Sequence, residues 1–192
     1  MNDFIFATHN THKAQELQAM LPDIRIQTLS GLGHFDEIPE TAKTLEGNAL
    51  LKAEATHQLF GGLVVADDTG LEVEALNGAP GVRSARYAGE PRDDTKNLKK
   101  LLHELHAKDN RHAQFRTVIC LFGQEKPLYF EGIVKGTILE MAKGASGFGY
   151  DPVFVPEGYT QTFAELPMEV KNRISHRGLA VQKLVEHFKN ES

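Results

Sequence analysis

The chain has 192 residues, of which 41% are hydrophobic and 24% are charged, and its formal net charge at pH 7 is -5. These values are typical of a globular protein, and the length suits one domain, either undivided or with two lobes around one sheet, that buries a sizeable core. The negative charge does not favour a non-specific nucleic-acid or membrane binder, so an anionic ligand would need a local cluster of cations. The single cysteine, Cys120, excludes an intrachain disulfide and a four-cysteine zinc site.

The sequence shows no targeting or membrane segment. Its first residues lack a basic region followed by a long apolar one, and no apolar run approaches the ~20 residues of a membrane span. We therefore expect a cytoplasmic protein. No repeat, low-complexity run or linker divides the chain, so residues 1–192 are predicted to form a single two-lobed domain.

The first part of the chain alternates predicted strands and helices. Residues 4–7 form a strand, a polar loop follows, and an amphipathic helix then runs until Pro22. Residues 24–28 alternate as a second strand, and Thr44 caps a helix that continues through residue 60. A helix that begins after a strand and a polar loop can bind phosphate with its first N–H groups. Lys13 in the first turn would add a charge, although a solvated lysine is the alternative interpretation.

The central stretch is an apolar run over 63–66 followed by Asp67, Asp68, Thr69 and Gly70. The run predicts a buried strand that ends in two adjacent carboxylates and a glycine turn, the place where α/β sheets bind ligands. Because strand side chains alternate between faces, one carboxylate should face a cleft while the other braces the loop. Carboxylates suit Mg²⁺, which is usually held by one or two of them together with substrate phosphates.

Local backbone structure could also account for these acidic residues. Asp-Asp-Thr-Gly is ordinary turn chemistry as well as a possible metal-binding sequence. Glu40, which precedes a helix start, is a candidate second metal ligand, but acidic residues are common there because of the helix dipole.

The sequence of the second part of the chain predicts three further strands and a helix. Residues 71–75 alternate as a short strand, and Asp94 is predicted to cap a helix over 95–107. Residues 111–122 and 127–135 form a predicted β-hairpin. Because a hairpin is antiparallel, we predict a mixed, elongated central sheet flanked by helices, an α/β fold with two lobes and a substrate cleft between them.

The last part combines glycines, aromatic residues and polar groups. Residues 143–152 contain three glycines and two aromatic rings, which suit close approach to a stacked base but also suit a flexible loop. From Thr162 onward the chain is predicted to be helical, with breaks near Pro167 and Ser175. His176 begins the last helix, where a cation needs a partner.

Five motifs taken together resemble the inosine/xanthosine triphosphate pyrophosphatase family, and they cover the chain nearly end to end. They are 8–13 (Thr-His-Asn-Thr-His-Lys), 67–71 (Asp-Asp-Thr-Gly-Leu), 78–81 with 84–87, 148–152 (Phe-Gly-Tyr-Asp-Pro) and 175–178 (Ser-His-Arg-Gly). The resemblance implies hydrolysis of a deaminated purine nucleoside triphosphate (ITP, dITP or XTP) to the monophosphate and pyrophosphate. It also implies Mg²⁺ and a homodimer, and it implies neither a nucleic-acid polymer nor a membrane as partner.

The resemblance also implies a role for each site residue. Asp68 would be the general base and a metal ligand, and Glu40 the second metal carboxylate. The expected triphosphate contacts are Thr8, His9, Asn10, Thr11, His12, Lys13 and Lys52, with Thr69 also touching substrate. The expected nucleobase pocket consists of Phe148, Gly149, Tyr150, Asp151, Lys171, His176 and Arg177. His9 departs from the family pattern, in which a small residue such as glycine is common.

Base selectivity follows from hydrogen-bond chemistry. Hypoxanthine and xanthine carry an oxygen at C6 where adenine carries an amino donor, so a pocket lined by donors would disfavour adenine by ~1–3 kcal/mol for each unpaired group. Two further functions remain open from the sequence: a catalytically silent nucleotide-binding protein and a phosphomonoesterase. Tight ITP binding without turnover would favour the first, and release of inorganic phosphate would favour the second.

Overall fold

The computed structural model describes residues 3–190 and contains a seven-stranded sheet. The strands are β1 (Phe4–Phe6), β2 (Ile26–Thr28), β3 (Val64–Val73), β4 (Pro80–Gly81), β5 (His112–Phe122), β6 (Leu128–Ile138) and β7 (Phe154–Pro156). Their order is β2-β1-β3-β5-β6-β7, and β4 pairs with β3. β1 is parallel to β2 and β3, whereas the β3–β4 and β6–β7 pairs are antiparallel. The predicted mixed α/β fold is confirmed.

The described residues form α-helices at five places along the chain. These are α1 (Thr11–Met20), α2 (Leu45–Phe60), α3 (Asp94–Glu104), α4 (Met168–Ile174) and α5 (His176–Asn190). None of them is long and apolar enough to cross a bilayer. The predicted cap of α2 is confirmed, because the Thr44 hydroxyl accepts a hydrogen bond from the Gly47 N–H at 3.1 Å.

The chain divides into two compact units. Unit 1 comprises residues 3–68, Thr117–Gly132 and residues 177–190. Unit 2 comprises Thr69–Arg116 and Ile133–His176. The single two-lobed domain and the substrate cleft stay predictions.

Unit 1 has its core on the two faces of its part of the sheet. One cluster joins β1 and α1 to α5, and its members include Phe4, Phe6, Leu17, Leu184 and Phe188. A second cluster packs the small residues of α2 against the opposite side of the same strands. We predicted that Val181, Leu184, Val185 and Phe188 of the last helix face inward. Val181, Leu184 and Phe188 are buried, and Val185 is partly buried against the same cluster.

The core of unit 2 is rich in phenylalanine. Phe115, Phe154 and Phe163 pack with Leu101 and Leu105 of the α3 region. The ring centroids of Phe115 and Phe154 are 4.7 Å apart in an edge-on arrangement. Leu101 and Leu105 belong to the leucine stripe predicted for α3, and both are fully buried.

The prediction that the strand ends at the aspartates was wrong. β3 continues from Val64 to Val73, so Asp67, Asp68 and Gly70 lie within a strand rather than in a turn. The reason is a change of partner: β3 pairs with β1 at Val64 and Val65, and with β4 at Leu71 and Glu72. A Cβ at Gly70 would lie 2.7 Å from the Gly81 carbonyl oxygen, so the glycine permits this second pairing.

Two smaller predictions also need correction. α3 begins one residue earlier than expected, because Asp93 rather than Asp94 is its cap and accepts from the Lys96 N–H at 2.9 Å. Residues 162–167 form turns instead of a helix, since the Thr162 side chain donates to the Lys143 carbonyl and its backbone N–H donates to Glu165. The helix therefore begins only after Pro167.

Candidate active site

Two adjacent aspartates lie in β3 just past the point where β1 ends. β1 pairs with β3 at Val64 and Val65, and its last residue is Phe6. The Asp67 carbonyl oxygen accepts a hydrogen bond from the Lys52 ammonium at 2.6 Å. The aspartates therefore still lie at the carboxyl end of a parallel strand pair, the position in α/β sheets that binds ligands.

The Asp67 carboxylate is buried between two cations. Lys13 Nζ lies 2.9 Å from its Oδ1 and Arg177 Nε lies 3.3 Å from its Oδ2. Arg177 also donates to the buried Glu16 carboxylate of α1. Burial alone would raise the pKa of Asp67, but the charges of Lys13 and Arg177 outweigh it and hold that pKa far below its usual range. Asp67 is therefore ionised at neutral pH, and its carboxylate fixes Lys13 and Arg177.

The Asp68 carboxylate has a different environment. Its Oδ2 accepts a hydrogen bond from the Asn48 amide of α2 at 3.1 Å, and its Oδ1 lies 4.0 Å from Lys52 Nζ. Burial raises the pKa of Asp68, and the negative charge of Glu40 adds to this effect against the opposing charge of Lys52. A raised pKa makes Asp68 the more basic member of the pair, as a proton acceptor requires.

Lys52 connects the acidic residues of this region. Its ammonium lies 2.6 Å from Glu40 Oε1 and donates to the Asp67 carbonyl. Burial lowers the pKa of Lys52, but the charges of Asp68 and Glu40 outweigh it, and the net shift is upward. Burial lowers the pKa of Lys13 despite the opposing charge of Asp67. We call Lys13, Glu40, Lys52, Asp67 and Asp68 the carboxylate–lysine cluster.

The loop between β1 and α1 is shaped by its own side chains. The Thr8 hydroxyl accepts from the Asn10 N–H, and the Asn10 side chain accepts from the Lys13 N–H, both at 3.1 Å. Asn10 is thus the N-cap of α1, whose first turn contains no acidic residue. Thr11 and His12 are exposed in that turn. The N-terminus of α1 is therefore suited to an anion.

The acidic residues of this cluster could hold one metal ion with help from a ligand. Across residues 3–190, no three His, Cys, Asp or Glu side chains gather into a complete metal site. Glu40 and Asp68 both face the Lys52 ammonium, so one cation already lies close to the two carboxylates. Two hard oxygen donors fit Mg²⁺ when phosphate oxygens complete the coordination.

A second polar group lies in unit 2, around Lys171 of α4. Lys171 Nζ lies 2.8 Å from Asp151 Oδ2, and the same oxygen accepts from the Phe148 N–H at 2.9 Å. The ammonium also lies 5.1 Å from the centroid of the Phe148 ring. A Cβ at Gly147 would lie 2.3 Å from Asp151 Oδ2, so that position needs a glycine. Asp151 thus fixes a lysine beside an aromatic face.

Other residues of the predicted nucleobase pocket support this segment. The Gly149 N–H donates to Asp94 at 3.1 Å, and the Tyr150 hydroxyl donates to the Ser84 carbonyl at 2.8 Å. The His176 ring stacks on Phe115, with centroids 4.5 Å apart and an interplanar angle of 14°. Burial raises the pKa of Tyr150, so its hydroxyl remains a donor. Gly149 and Tyr150 therefore hold the backbone on which Phe148 is presented.

The structure brings together most of the residues chosen from the sequence, within each unit. Lys13, Glu40, Lys52 and Asp68 meet in unit 1, while Thr69 is half-buried next along β3 and belongs to unit 2. Arg177, expected in the nucleobase pocket, belongs to unit 1, where its guanidinium binds Asp67 and Glu16.

Sequence reasoning missed the roles of Glu16 and Asn48. Asn48 lies four residues before Lys52 on α2, and Glu16 lies three residues after Lys13 on α1. Both spacings place side chains on one helix face, which is the signal that could have identified them. In the structure Asn48 donates a hydrogen bond to Asp68, and Glu16 accepts one from Arg177.

Known proteins of the same size resemble the chain over almost their full length. The sequence pattern of the Ham1 family matches residues 4–187. The dITP/XTP pyrophosphatase of Flavobacterium psychrophilum is 56% identical over 97% of this chain and 98% of its own. That of Porphyromonas gingivalis is 53% identical over 96% of each chain.

Two solved structures have the same fold. The Staphylococcus aureus Ham1 protein superposes with a TM-score of 0.89 and 40% identity over 100% of both chains. A HAM1 protein from Coxiella burnetii also gives 0.89, with 37% identity over 99% of this chain and 100% of its own. These similarities, together with the five motifs, show that the chain belongs to the Ham1 family.

Proposed function

We propose that the protein hydrolyses deaminated purine nucleoside triphosphates, namely ITP, dITP and XTP, to the nucleoside monophosphate and pyrophosphate. The observation that carries the proposal is the carboxylate–lysine cluster, in which Lys52 lies 4.0 Å from Asp68 and 2.6 Å from Glu40 while Lys13 contacts the neighbouring Asp67. The names of the curated relatives, dITP/XTP pyrophosphatase, support the same reaction. The reaction removes these compounds from the pool of DNA and RNA precursors.

Asp68 acts as the general base. A water molecule attacks the α-phosphorus in line with the α–β bridging oxygen, and its proton passes to the Asp68 carboxylate. The new bond joins the water oxygen to the α-phosphorus, and the broken bond releases pyrophosphate. Asn48 holds Asp68 Oδ2 at 3.1 Å and so keeps the carboxylate oriented during this transfer.

The lysines neutralise the phosphate oxygens. Lys13 follows the N-cap of α1, so the helix N–H groups and its ammonium act on the same anion. Lys52 remains charged because two carboxylates face it. When bound by Glu40 and Asp68, Mg²⁺ would supply further charge neutralisation at the phosphates. Asp67 holds Lys13 in place and takes no proton.

We assign base selectivity to the group around Lys171. Its ammonium is fixed by Asp151 and lies over the Phe148 ring, so a base that stacks on this ring meets a positive donor. A donor suits the C6 oxygen of hypoxanthine or xanthine and opposes the C6 amino group of adenine. ATP is therefore the poorer substrate in this proposal.

The proposal includes two properties of the whole protein. We expect a homodimer, which light scattering at several protein concentrations would measure. We also expect the protein in the cytoplasm, where the precursor pool lies, and cell fractionation would test this.

The reaction itself is tested by identifying the product. The purified protein is incubated with Mg²⁺ and ITP, XTP, dITP or ATP, and pyrophosphate and phosphate are measured separately. We expect pyrophosphate from the first three and little from ATP. Asp68→Asn should abolish turnover and retain substrate binding, whereas the exposed-site control Asp109→Asn should behave as wild type. Phosphate as the first product, or equal rates on ITP and ATP, would contradict the proposal.

A further inference from the structure

The segment that carries Glu40 has no helix or strand of its own. Residues 34–44 are irregular, and they connect a short 3₁₀ turn at Ser30–Leu32 to α2. At its ends the His34 N–H donates to Leu29 and the Ala42 N–H donates to the Asn48 side chain. The Glu40 carboxylate contacts Lys52 at 2.6 Å, but the backbone between these ends keeps a fixed path only if it has a further contact.

The His9 imidazole provides such a contact at Asp36. His9 Nε2 lies 3.0 Å from the Asp36 carbonyl oxygen, and His9 Nδ1 lies 3.3 Å from the Ser30 hydroxyl oxygen. Since a carbonyl only accepts, Nε2 carries the hydrogen, and a neutral ring then accepts the hydroxyl proton of Ser30 at Nδ1. The two ring nitrogens thus bind two points that lie six positions apart in the chain.

Ring contacts extend this arrangement. The His9 and His34 rings are nearly parallel, with centroids 6.1 Å apart. The His34 ring in turn meets the edge of Phe60, at the end of α2, with centroids also 6.1 Å apart. His9 itself lies between Thr8 and Asn10, the two residues that shape the loop between β1 and α1. Because the proposed function places the triphosphate at this loop, residues 7–10, we call it the phosphate-binding loop. The imidazole therefore joins that loop to the segment that leads to Glu40.

We propose that His9 is a positioning residue that holds the Glu40 segment at a fixed distance from the phosphate-binding loop. This inference rests on the proposed function, because it gives His9 a role in aligning a metal carboxylate with the bound triphosphate. A glycine at this position has no side chain and leaves the Asp36 carbonyl without this donor. The side chain acts through Glu40 and not by contact with the reacting atoms.

Four variants separate the contacts. His9→Gln keeps an N–H donor at about the reach of Nε2, His9→Asn keeps an amide only at about the reach of Nδ1, and His9→Ala keeps neither. Ser30→Ala is the matched control that removes only the Ser30 hydroxyl. Because His9 is exposed, we expect all four to have melting temperatures close to that of wild type.

Hydrogen exchange measures the position of the segment without any turnover. In His9→Ala and His9→Asn, the hydrogen-bonded amides at the two ends of the segment, those of His34 and Ala42, should exchange about tenfold faster, as expected when a loss of one hydrogen bond loosens the segment. His9→Gln and Ser30→Ala should exchange like wild type there, and α2 should be unchanged in all four. Wild-type exchange of both the His34 and the Ala42 amide in His9→Ala, or equal acceleration in His9→Gln, would overturn the proposal.

The Mg²⁺ dependence of the reaction rate tests whether the position of the segment affects the active site. His9→Ala should raise the Mg²⁺ concentration for half-maximal rate about tenfold and lower kcat at limiting Mg²⁺, while KM for ITP at saturating Mg²⁺ stays near wild type. His9→Gln should restore the Mg²⁺ response. A rise in KM alone would mean that His9 contacts the triphosphate directly and would overturn the positioning role. If the wild type releases no pyrophosphate from ITP, the proposed function fails, while the exchange measurement still decides whether His9 holds the segment.

Discussion

The two adjacent aspartates should respond in opposite ways to the same substitution. Asp67→Asn removes the anion between Lys13 and Arg177, which lie 2.9 and 3.3 Å from its oxygens. Removing one partner of a buried ion pair costs about 3–5 kcal/mol, because the other charge stays buried. Here Arg177 keeps Glu16, and the Lys13 side chain is 15% exposed, so we expect the lower end, about 3 kcal/mol. For a protein of this size that lowers the melting temperature by roughly 6–12 °C.

Asp68→Asn removes a charge that burial disfavours. The pKa of Asp68 is raised by burial and by Glu40, so folding makes its ionised form less favourable at neutral pH. The neutral amide avoids that cost, and Lys52 keeps both Glu40 and the Asp67 carbonyl. We therefore expect Asp68→Asn to melt at or above the wild-type temperature while turnover is lost.

Calorimetry of wild type and both variants between pH 3 and 8 tests this reasoning. A lowered folded-state pKa means that Asp67 stabilises the fold fully above the pKa of a free aspartate, about 4. That contribution is lost as the pH falls through the folded-state pKa. The difference between wild type and Asp67→Asn should therefore shrink in acid. Equal melting temperatures for the two variants at pH 7 would refute the reasoning.

Three further outcomes test other parts of the structure. Glu40→Gln removes a negative charge that raises the pKa of Asp68, and activity needs Asp68 in its ionised form. The acid limb of the pH profile of kcat/KM, measured at saturating Mg²⁺, should therefore move to lower pH. An unmoved limb would mean that another group titrates there. Lys171→Met should lower kcat/KM for XTP and ITP by roughly 10–100-fold, since a charged hydrogen bond to the C6 oxygen is lost. The kcat/KM for ATP should stay nearly unchanged. Equal losses on all three substrates would show that Lys171 does not select the base. Thr44→Ala should cost about 1 kcal/mol in the free energy of unfolding measured in urea, because the Gly47 N–H loses its cap, and Thr44→Ser should restore it.

Cap residues and apolar spacing predicted the helices and strands well where the tertiary contacts favour the same local structure. Thr44 followed by apolar residues at helical spacing identified α2 correctly at both ends. The hairpin of β5 and β6 was also recognised, because two long alternating stretches flank a short polar turn. These elements depend mainly on neighbours in the sequence, so the sequence shows them directly.

The errors came from interactions between distant segments. Asp67 to Gly70 has turn propensity, yet the pairing of Leu71 with Gly81 keeps this stretch extended. The same limit applies to the cluster itself. The acidic pair and Lys13 could be selected by chemistry, and spacing from Lys13 places Glu16 on the same helix face. Its partner Arg177 is 161 positions away, however, and no local signal pairs the two. Sequence reasoning identified reactive groups better than the residues that hold them.

The contacts of α1 and β3 with α5 affect how the protein folds while the ribosome synthesises it. Phe4 and Phe6 pack in one cluster with Leu184 and Phe188, and the Asp67 carboxylate lies 110 positions from its Arg177 partner. During translation the chain emerges from its amino end, so the first strand leaves the ribosome long before the segment that covers it. Until α5 has emerged, Asp67 and Glu16 lack their arginine and the apolar face of β1 lacks this cover. A nascent chain that stops before Arg177 should therefore be a substrate for chaperones and proteases, and unit 1 should complete its fold only after α5 has been made.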